Sequence, residues 1–346
     1  MRLLAIPLVI VAGAAVVRAG GDESPRRRGR LETIRHKKSA MVRVPAGTFV
    51  MGFPDEKEGG DAAAEAARVD CEKAVGAGAN MWCTAWVLAN LYPQDQYALL
   101  YLMPYVNAVP ERDDVYLPAF DIDRFEVTVA QYRRCVADGG CDSGALLQGD
   151  QRYHTSPRNP VVNVTWRDAS DYCTWAGKRL PSEAEWEKAA RGTDGRRWPW
   201  GNQDRRDGGN HGRMDAESVR RTRLMSARKL SSGDEASFEL APDDGDGAAY
   251  PVPPGTLRWS EGRYGTYDMA GNAAEWVADY YSPTGYADLP RDAPVRRIPV
   301  DRDNRRVVRG GSWLDLRLSG RAYARSAHNP TVRSPLIGFR CARDAS

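Results

Sequence analysis

The chain has 346 residues, enough for one large domain or two ordinary ones with a sizeable core. Its composition, 42% hydrophobic and 27% charged, is that of a globular protein and excludes a fibrous or wholly disordered chain. Lys+Arg 49 against Asp+Glu 46 leaves a formal charge of only +3, so nothing in the charge calls for a nucleic-acid partner.

At the N-terminus Arg2 precedes an apolar run from Leu3 to Val17, followed by Arg18 and Ala19. The run is short for a bilayer span, so residues 1–19 are expected to be a cleaved signal peptide, with an uncleaved anchor as the rival. No integral membrane span is expected after cleavage, and the destination is secreted or periplasmic. Residues 20–40, with Arg26, Arg27, Arg28, Arg30, Lys37 and Lys38, read as a disordered basic linker. Residues 41–346 then form the folded domain.

Met41–Met51 alternates apolar residues and ends in Gly52, the pattern of one strand and a turn. Residues 55–114 change composition, first Ala-rich and charged, then aromatic, and read as an insertion of two or three short helices. A strand pattern resumes at Val115. Three helix starts share one signature, a hydroxyl residue followed three positions later by Gln, Asp or Glu: Thr128/Gln131, Thr165/Asp168 and Ser182/Glu185. The hydroxyl can accept from the third helical N–H while the longer side chain reaches back to the cap. The second helix should end at Gly177 and place Trp166, Ala169, Tyr172, Cys173 and Ala176 on one apolar face. Residues 203–262 are rich in Gly, Asp, Arg and Pro, with a charged helix over Glu217–Lys229 as their periodic part. So long a connection needs something to hold it, fixed metal ions or function.

Export makes the six cysteines legible as disulfides. Cys135 and Cys141 bracket a Gly-rich turn, Cys71 and Cys83 share the insertion, and Cys173 and Cys341 remain. A bridge between the last two would close the longest loop, stabilising by about 5 kcal/mol on a chain-entropy basis.

Several runs resemble the formylglycine-generating enzyme (sulfatase-modifying factor) family. They are Asn163 through Gly192, Trp198-Pro-Trp-Gly-Asn202, Tyr267-Asp-Met-Ala-Gly-Asn-Ala-Ala-Glu-Trp276, Arg309-Gly-Gly-Ser-Trp313 and Gly338-Phe-Arg-Cys341. The opening strand and Asp123-Arg-Phe-Glu-Val-Thr128 match as well, in the family's order, leaving 55–114 and about 216–238 as insertions. The resemblance implies an α+β fold, a variant of the C-type lectin-like fold low in regular secondary structure. It also implies two structural calcium ions. Asp268, Gly271, Ala273 and Glu275 would hold one, and Asn210, His211, Asp244 and Asp246 the other, through the mixed hard oxygens that suit calcium. A family disulfide falls at Cys173 and Cys341; a second falls at Ala190 and is absent.

The departure concerns catalysis. Active members carry two closely spaced cysteines after the Gly-Gly-Ser-aromatic motif, which bind copper(I) and exchange with the substrate's cysteine. Leu314–Tyr323 here contains no cysteine, and none occurs between Ser312 and Cys341. Asp315 and Ser319 are hard ligands that cannot replace soft thiolates, so copper is not expected. The favoured reading is a pseudoenzyme, binding a protein or peptide or serving as a structural module. Its retained groove would be lined by Ser312, Trp313, Arg317, Tyr323, Arg325 and Asn329. The alternative is an active oxidoreductase of formylglycine-generating type that draws its thiols from Cys71 and Cys83. An iron-dependent sulfoxide synthase would need a histidine cluster, whereas His36, His154, His211 and His328 are scattered.

Overall fold

A computed structural model describes residues 40–52, 112–148, 151–154, 156–203, 205–214, 240–242, 245–282, 284–315 and 317–345. Every described residue falls in one compact unit, Lys38–Ser346. Residues 1–39, Cys71, Cys83, Asp244, the Glu217–Lys229 segment and nearly all of the 55–114 insertion lie outside the described residues.

The helices begin where the hydroxyl signatures put them. Helix α1 (Val129–Ala137) is capped by Thr128, a short α2 (Gly144–Leu147) follows, and α3 (Trp166–Trp175) and α4 (Glu183–Arg191) are capped by Thr165 and Ser182. At all three signature sites the capping box closes in both directions; at Thr165, for example, Asp168 N donates to Thr165 Oγ1 at 3.1 Å while Thr165 N donates to Asp168 Oδ2 at 2.9 Å. Helix α3 ends as its glycine requires. Gly177 sits at φ 70°, its N–H reaches Thr174 O at 3.0 Å, and Lys178 N reaches Cys173 O at 2.7 Å. That pair of bonds satisfies the last carbonyls of the helix.

The strands depart from the sequence reading at two places. Residues 41–51 form two strands, β1 (Met41–Val44) and β2 (Gly47–Met51), because Pro45 has no N–H to continue a ladder and Gly47 turns at φ 140°. Strand β3 (Arg112–Leu117) starts three residues before Val115, so Arg112, Asp113 and Asp114 belong to the sheet. Arg112 secures that start by donating to Tyr286 O and Leu289 O at 2.9 and 3.0 Å. Strand β4 (Phe120–Asp123) runs antiparallel to β1, while β2 pairs with β3.

Within residues 203–262 a small antiparallel pair, β5 (Gly212–Met214) and β6 (Leu240–Pro242), replaces part of the expected coil. The remaining strands are β7 (Ala274–Tyr280), β8 (Arg306–Arg309), β9 (Arg325–His328), β10 (Ile337–Phe339) and β11 (Ala342–Asp344). They build a sheet of order β10-β7-β8-β9, with β10 parallel to β7, and complete a second sheet of order β1-β4-β11. Helices and strands are mixed without a βαβ repeat, which is the α+β class expected.

One apolar cluster packs Phe49, Leu117, Phe120, Ile122, Trp186, Val277 and Val307 around α4. The other packs α1 and α3 against β7 and β10 through Tyr132, Tyr172, Trp276 and Phe339. Cys173 on α3 is bridged to Cys341 with the Cα atoms 5.6 Å apart, and Cys135 is bridged to Cys141 at 5.3 Å. Both pairs match the sequence pairing and suit an oxidising compartment. No helix among the described residues is long and apolar enough to cross a membrane.

Candidate functional site

The turn that leads into β7 holds three residues with positive φ within five positions. Asp268, Gly271 and Asn272 lie at φ 57°, 85° and 64°, a left-handed conformation that Gly, Asn and Asp adopt most readily. Gly271 is required on a second count, since a Cβ there would stand 2.1 Å from the Asn210 carbonyl oxygen. Gly271 N donates to Gly310 O, Asn272 N to Asn210 O, and Trp313 N to Asn272 O, each at 2.8 Å. Three segments distant in sequence, around Asn210, Asn272 and Gly310–Trp313, are thereby tied into one knot.

Of the expected calcium ligands, Asn210 and Gly271 lie in this knot and Asp268, Ala273 and Glu275 within a few positions of it, while Asp244 lies outside the described residues. Asp268 is buried; its Oδ2 accepts from Gly255 N at 2.5 Å, and its Oδ1 has no hydrogen-bond partner. Asn210 is buried too. Its Nδ2 faces two acceptors, Tyr250 O at 2.9 Å and Asn272 Oδ1 at 3.4 Å, which fixes the amide orientation and leaves Oδ1 without a partner. A buried oxygen with nothing to accept from is costly. Each of the two expected sets contains one, and a hard cation would satisfy both. Asp246 spends its carboxylate on His211 N (2.6 Å) and Ala248 N (3.0 Å).

Charge points the same way. Burial pushes the Glu126 carboxyl well above the ordinary carboxylate range, and the charges of Asp268 and Glu275 push it further. Burial also raises Asp268, with the Gly255 N–H and the Ser260 hydroxyl holding it back. Glu275 is the one carboxylate of this group with a full counter-ion. Arg340 Nε lies 2.9 and 2.7 Å from its two oxygens, Nη2 adds a third bond at 2.7 Å, and Trp186 Nε1 donates at 2.7 Å. The remaining N–H groups of Arg340 go to Asp123 O, Arg124 O and Tyr267 O. Glu126, Asp268 and Glu275 thus share one guanidinium, and the pocket is short of positive charge. The residues fit calcium, with Asp268 and Asn210 supplying free oxygens and Glu275 supplying charge through a carboxylate already engaged by Arg340. Among the described residues no three His, Cys, Asp or Glu side chains are grouped to hold a metal. The donors here are single carboxylate, carboxamide and carbonyl oxygens, which disfavours zinc or copper.

The expected groove is largely filled. Ser312 is fully buried, with its hydroxyl donating to Asp315 Oδ2 at 2.7 Å and its N–H to the same oxygen at 2.9 Å. Burial raises the Asp315 carboxyl, opposed by these two bonds. Trp313 is buried against Tyr153 and Tyr250, ring centroids 5.1 and 5.5 Å away, and its Nε1 donates to Pro335 O. Tyr323 is buried beneath the Arg191 guanidinium. Arg325 is buried and paired bidentately with Glu183, both N···O distances 2.7 Å. These four therefore pack the interior. Arg317 is half-buried at the start of a short helical turn, Arg317–Gly320, and only Asn329 is exposed, its Oδ1 capping a turn at Thr331. Sequence reasoning missed Glu126, Asn272 and Arg340, although each lies inside a motif that carries the resemblance.

The sulfatase-modifying factor enzyme 1-like domain family matches residues 29–345. A formylglycine-generating enzyme of Streptomyces coelicolor is 38% identical over 193 residues, covering 55% of this chain and 54% of that protein. A mouse protein named inactive C-alpha-formylglycine-generating enzyme 2 is 35% identical over 195 residues, covering 54% and 49%. The chain thus spans about half the length of the curated relatives it matches. Among solved structures, PvdO from Pseudomonas aeruginosa aligns over 89% of this chain and 95% of its own, with TM-score 0.56 and 23% identity, a likeness of fold alone. All of the described residues, 40–345, fall inside the family match to residues 29–345, and the chain belongs to the sulfatase-modifying factor enzyme 1-like family.

Proposed function

We propose that the chain is an exported, calcium-stabilised pseudoenzyme of this family, a C-type lectin-like scaffold that serves as a protein- or peptide-binding or structural module. One observation carries the reading. Ser312, which closes the Gly-Gly-Ser motif, is fully buried and bonded to Asp315, and no cysteine lies between it and Cys341. A thiolate is needed both to hold copper(I) and to exchange with a substrate sulfur. Cys173 and Cys341 are bonded to each other, and the Asp315 carboxylate is committed to Ser312. Calcium would be held by Asp268 with Glu275 beside it, and by Asn210 with the carbonyls of His211 and Asp246. It would supply positive charge beyond the single Arg340 guanidinium that Glu126, Asp268 and Glu275 share. The relatives named inactive support the reading from outside the chain.

The test is incubation of the full chain with copper(I), oxygen and a cysteine-containing sulfatase-type peptide, read by mass spectrometry. Peptide recovered without aldehyde is expected. Robust aldehyde formation would favour the second reading, an active formylglycine-generating oxidoreductase, for which the name of the 38% identical relative speaks. Attention would then turn to Cys71 and Cys83.

A further inference from the structure

The two oxygen sets are joined through a single side chain that neither contains. Asn272 is fully buried at φ 64° and uses every polar atom it has. Its Nδ2 donates to Glu126 Oε2 at 2.6 Å and Val252 O at 3.2 Å; its Oδ1 accepts from Val252 N at 3.0 Å and Asn210 Nδ2 at 3.4 Å. Its backbone N–H binds Asn210 O, and its carbonyl accepts from Trp313. Glu126 completes the clamp from the other side, since its Oε1 accepts from Ala273 N at 2.8 Å. Glu126 therefore sets the peptide planes at Asn272 and Ala273, next to the expected ligand carbonyls of Gly271 and Ala273. Asn272 passes that setting directly to Asn210, whose free Oδ1 belongs to the other set.

We propose that Asn272, clamped by Glu126, couples the two cation sites, so that a calcium ion at the Asn210 oxygens strengthens binding at the Asp268 oxygens and the reverse. The inference rests on the calcium reading above. The physical ground is that both sets are built on one continuous hydrogen-bonded unit, so ordering one end orders the other. Gly271 packs on the Asn210 backbone too closely for a Cβ, and Gly209 packs on the Ala270 carbonyl, where a Cβ would stand 2.0 Å from the oxygen. An ion that fixes Asn210 therefore fixes Asn272 and, through it, the turn carrying Asp268 and Gly271. Coupling of this kind must be reciprocal. Asn272 and Glu126 are positioning residues here; neither is assigned as a ligand.

The left-handed φ makes a clean probe available. Asn272→Gly removes the side chain while keeping a backbone that glycine adopts freely. Calcium-free full-length protein is titrated with calcium chloride by calorimetry in four forms: wild type, Asn210→Ala, Asn272→Gly and the double variant. Wild type is expected to bind two ions. Asn210→Ala should weaken the remaining site by about 5–150-fold, the usual range for coupled sites. In the Asn272→Gly background the same change should leave that site within about twofold. An equal loss in both backgrounds overturns the coupling while leaving calcium binding intact. A wild type that takes up no calcium overturns the calcium reading and the coupling together. A melting curve in chelator guards against a merely structural effect, because Asn272→Gly should shrink the rise in melting temperature on adding calcium by more than it lowers the calcium-free value. Should Asn272→Gly fail to fold, Glu126→Gln takes its place, since its one amide oxygen cannot accept from both Asn272 Nδ2 and Ala273 N and it must reduce the same fold-change; retention of full coupling in Glu126→Gln counts against the proposal.

Discussion

Two buried clusters of charge flank β7 and are balanced differently. Beside α4, Glu183 and Glu187 meet three guanidinium groups: Arg325 on Glu183, Arg309 bridging Glu183 at 3.1 Å and Glu187 at 2.6 Å, and Arg191 at 3.4 Å from Glu187. These side chains are almost entirely shielded from solvent, and spare N–H groups are spent on carbonyls, as when Arg309 reaches Ala322 O and Arg191 reaches Gly52 O. At the turn before β7, Glu126, Asp268 and Glu275 share Arg340 alone, and one oxygen of Asp268 is left over. A buried carboxylate must be neutralised by a proton, a fixed cation or a bound one. The α4 cluster carries its cations in the chain, whereas the carboxylates around the turn before β7 outnumber the one guanidinium they share.

The largest effect that follows is on the self-contained cluster. Arg309→Met takes the 2.6 Å partner from Glu187 Oε2 and leaves Glu187 with only the more distant Arg191 as counter-ion, and breaking a buried pair in this way costs about 3–5 kcal/mol. The loss should be the same with calcium or with chelator. A loss that appears only in one of the two conditions would mean that the clusters are not independent.

A smaller effect is expected at the turn. Calcium at a hundred times its dissociation constant should stabilise the folded chain by about 2.7 kcal/mol, seen as a higher melting temperature. Asp268→Ala should erase most of the response at that site, because it removes the oxygen that has no other partner. An identical melting curve with and without chelator would remove the bound cation from the account and leave protonation of Glu126 to balance the pocket.

The effect smallest at each step of its experiment separates proton from metal as the neutralising agent. Asp279 is buried beside the α4 cluster, and burial, with Glu183 nearby, pushes its carboxyl up to about 7, although it accepts from Glu183 N and Arg296 N at 2.7 Å each. An acid whose folded value is raised holds its proton longer in the folded state than in the unfolded one. Its contribution is complete below the unfolded value of 3.8 and is lost as pH rises towards about 7. Stability should therefore fall by about 1 kcal/mol per pH unit over that window. Asp279→Asn should flatten that slope while lowering stability at every pH, since the amide offers only one acceptor for two donors. Denaturant melts at several pH values in chelator measure it, and an unchanged slope in the variant would assign the titration to another group.

Much of the local architecture was legible from spacing. Thr128, Thr165 and Ser182 start helices because their partners sit three residues on, within reach in any context that lets the turn form. Gly177 ends α3 for the same local reason, and Cys135 and Cys141 could meet across one turn. The pairing of Cys173 with Cys341 was readable by elimination and resemblance, even across 168 residues. The site was less legible. Asn210 and Asp268 stood in recognisable motifs, yet nothing in their spacing shows that each keeps one oxygen free, or that Arg340 takes both oxygens of Glu275.

The groove residues show where local reading stops. Ser312, Trp313, Tyr323 and Arg325 follow one another closely in sequence, yet Arg325 is drawn inward by Glu183, 142 positions away, and Trp313 by Tyr153 and Tyr250. The sequence by itself determined the helix caps, the glycine turns, the local Cys135–Cys141 pair and the lack of a cysteine between Ser312 and Cys341, all of which depend on residue identity or on contacts within a few positions. Only the tertiary structure decided which carboxylates meet a guanidinium, which buried oxygens are left without a donor, and that Glu126 reaches Asn272 across 146 positions. Burial and ion pairing depend on what the fold brings alongside a residue, and no spacing along the chain encodes that distance.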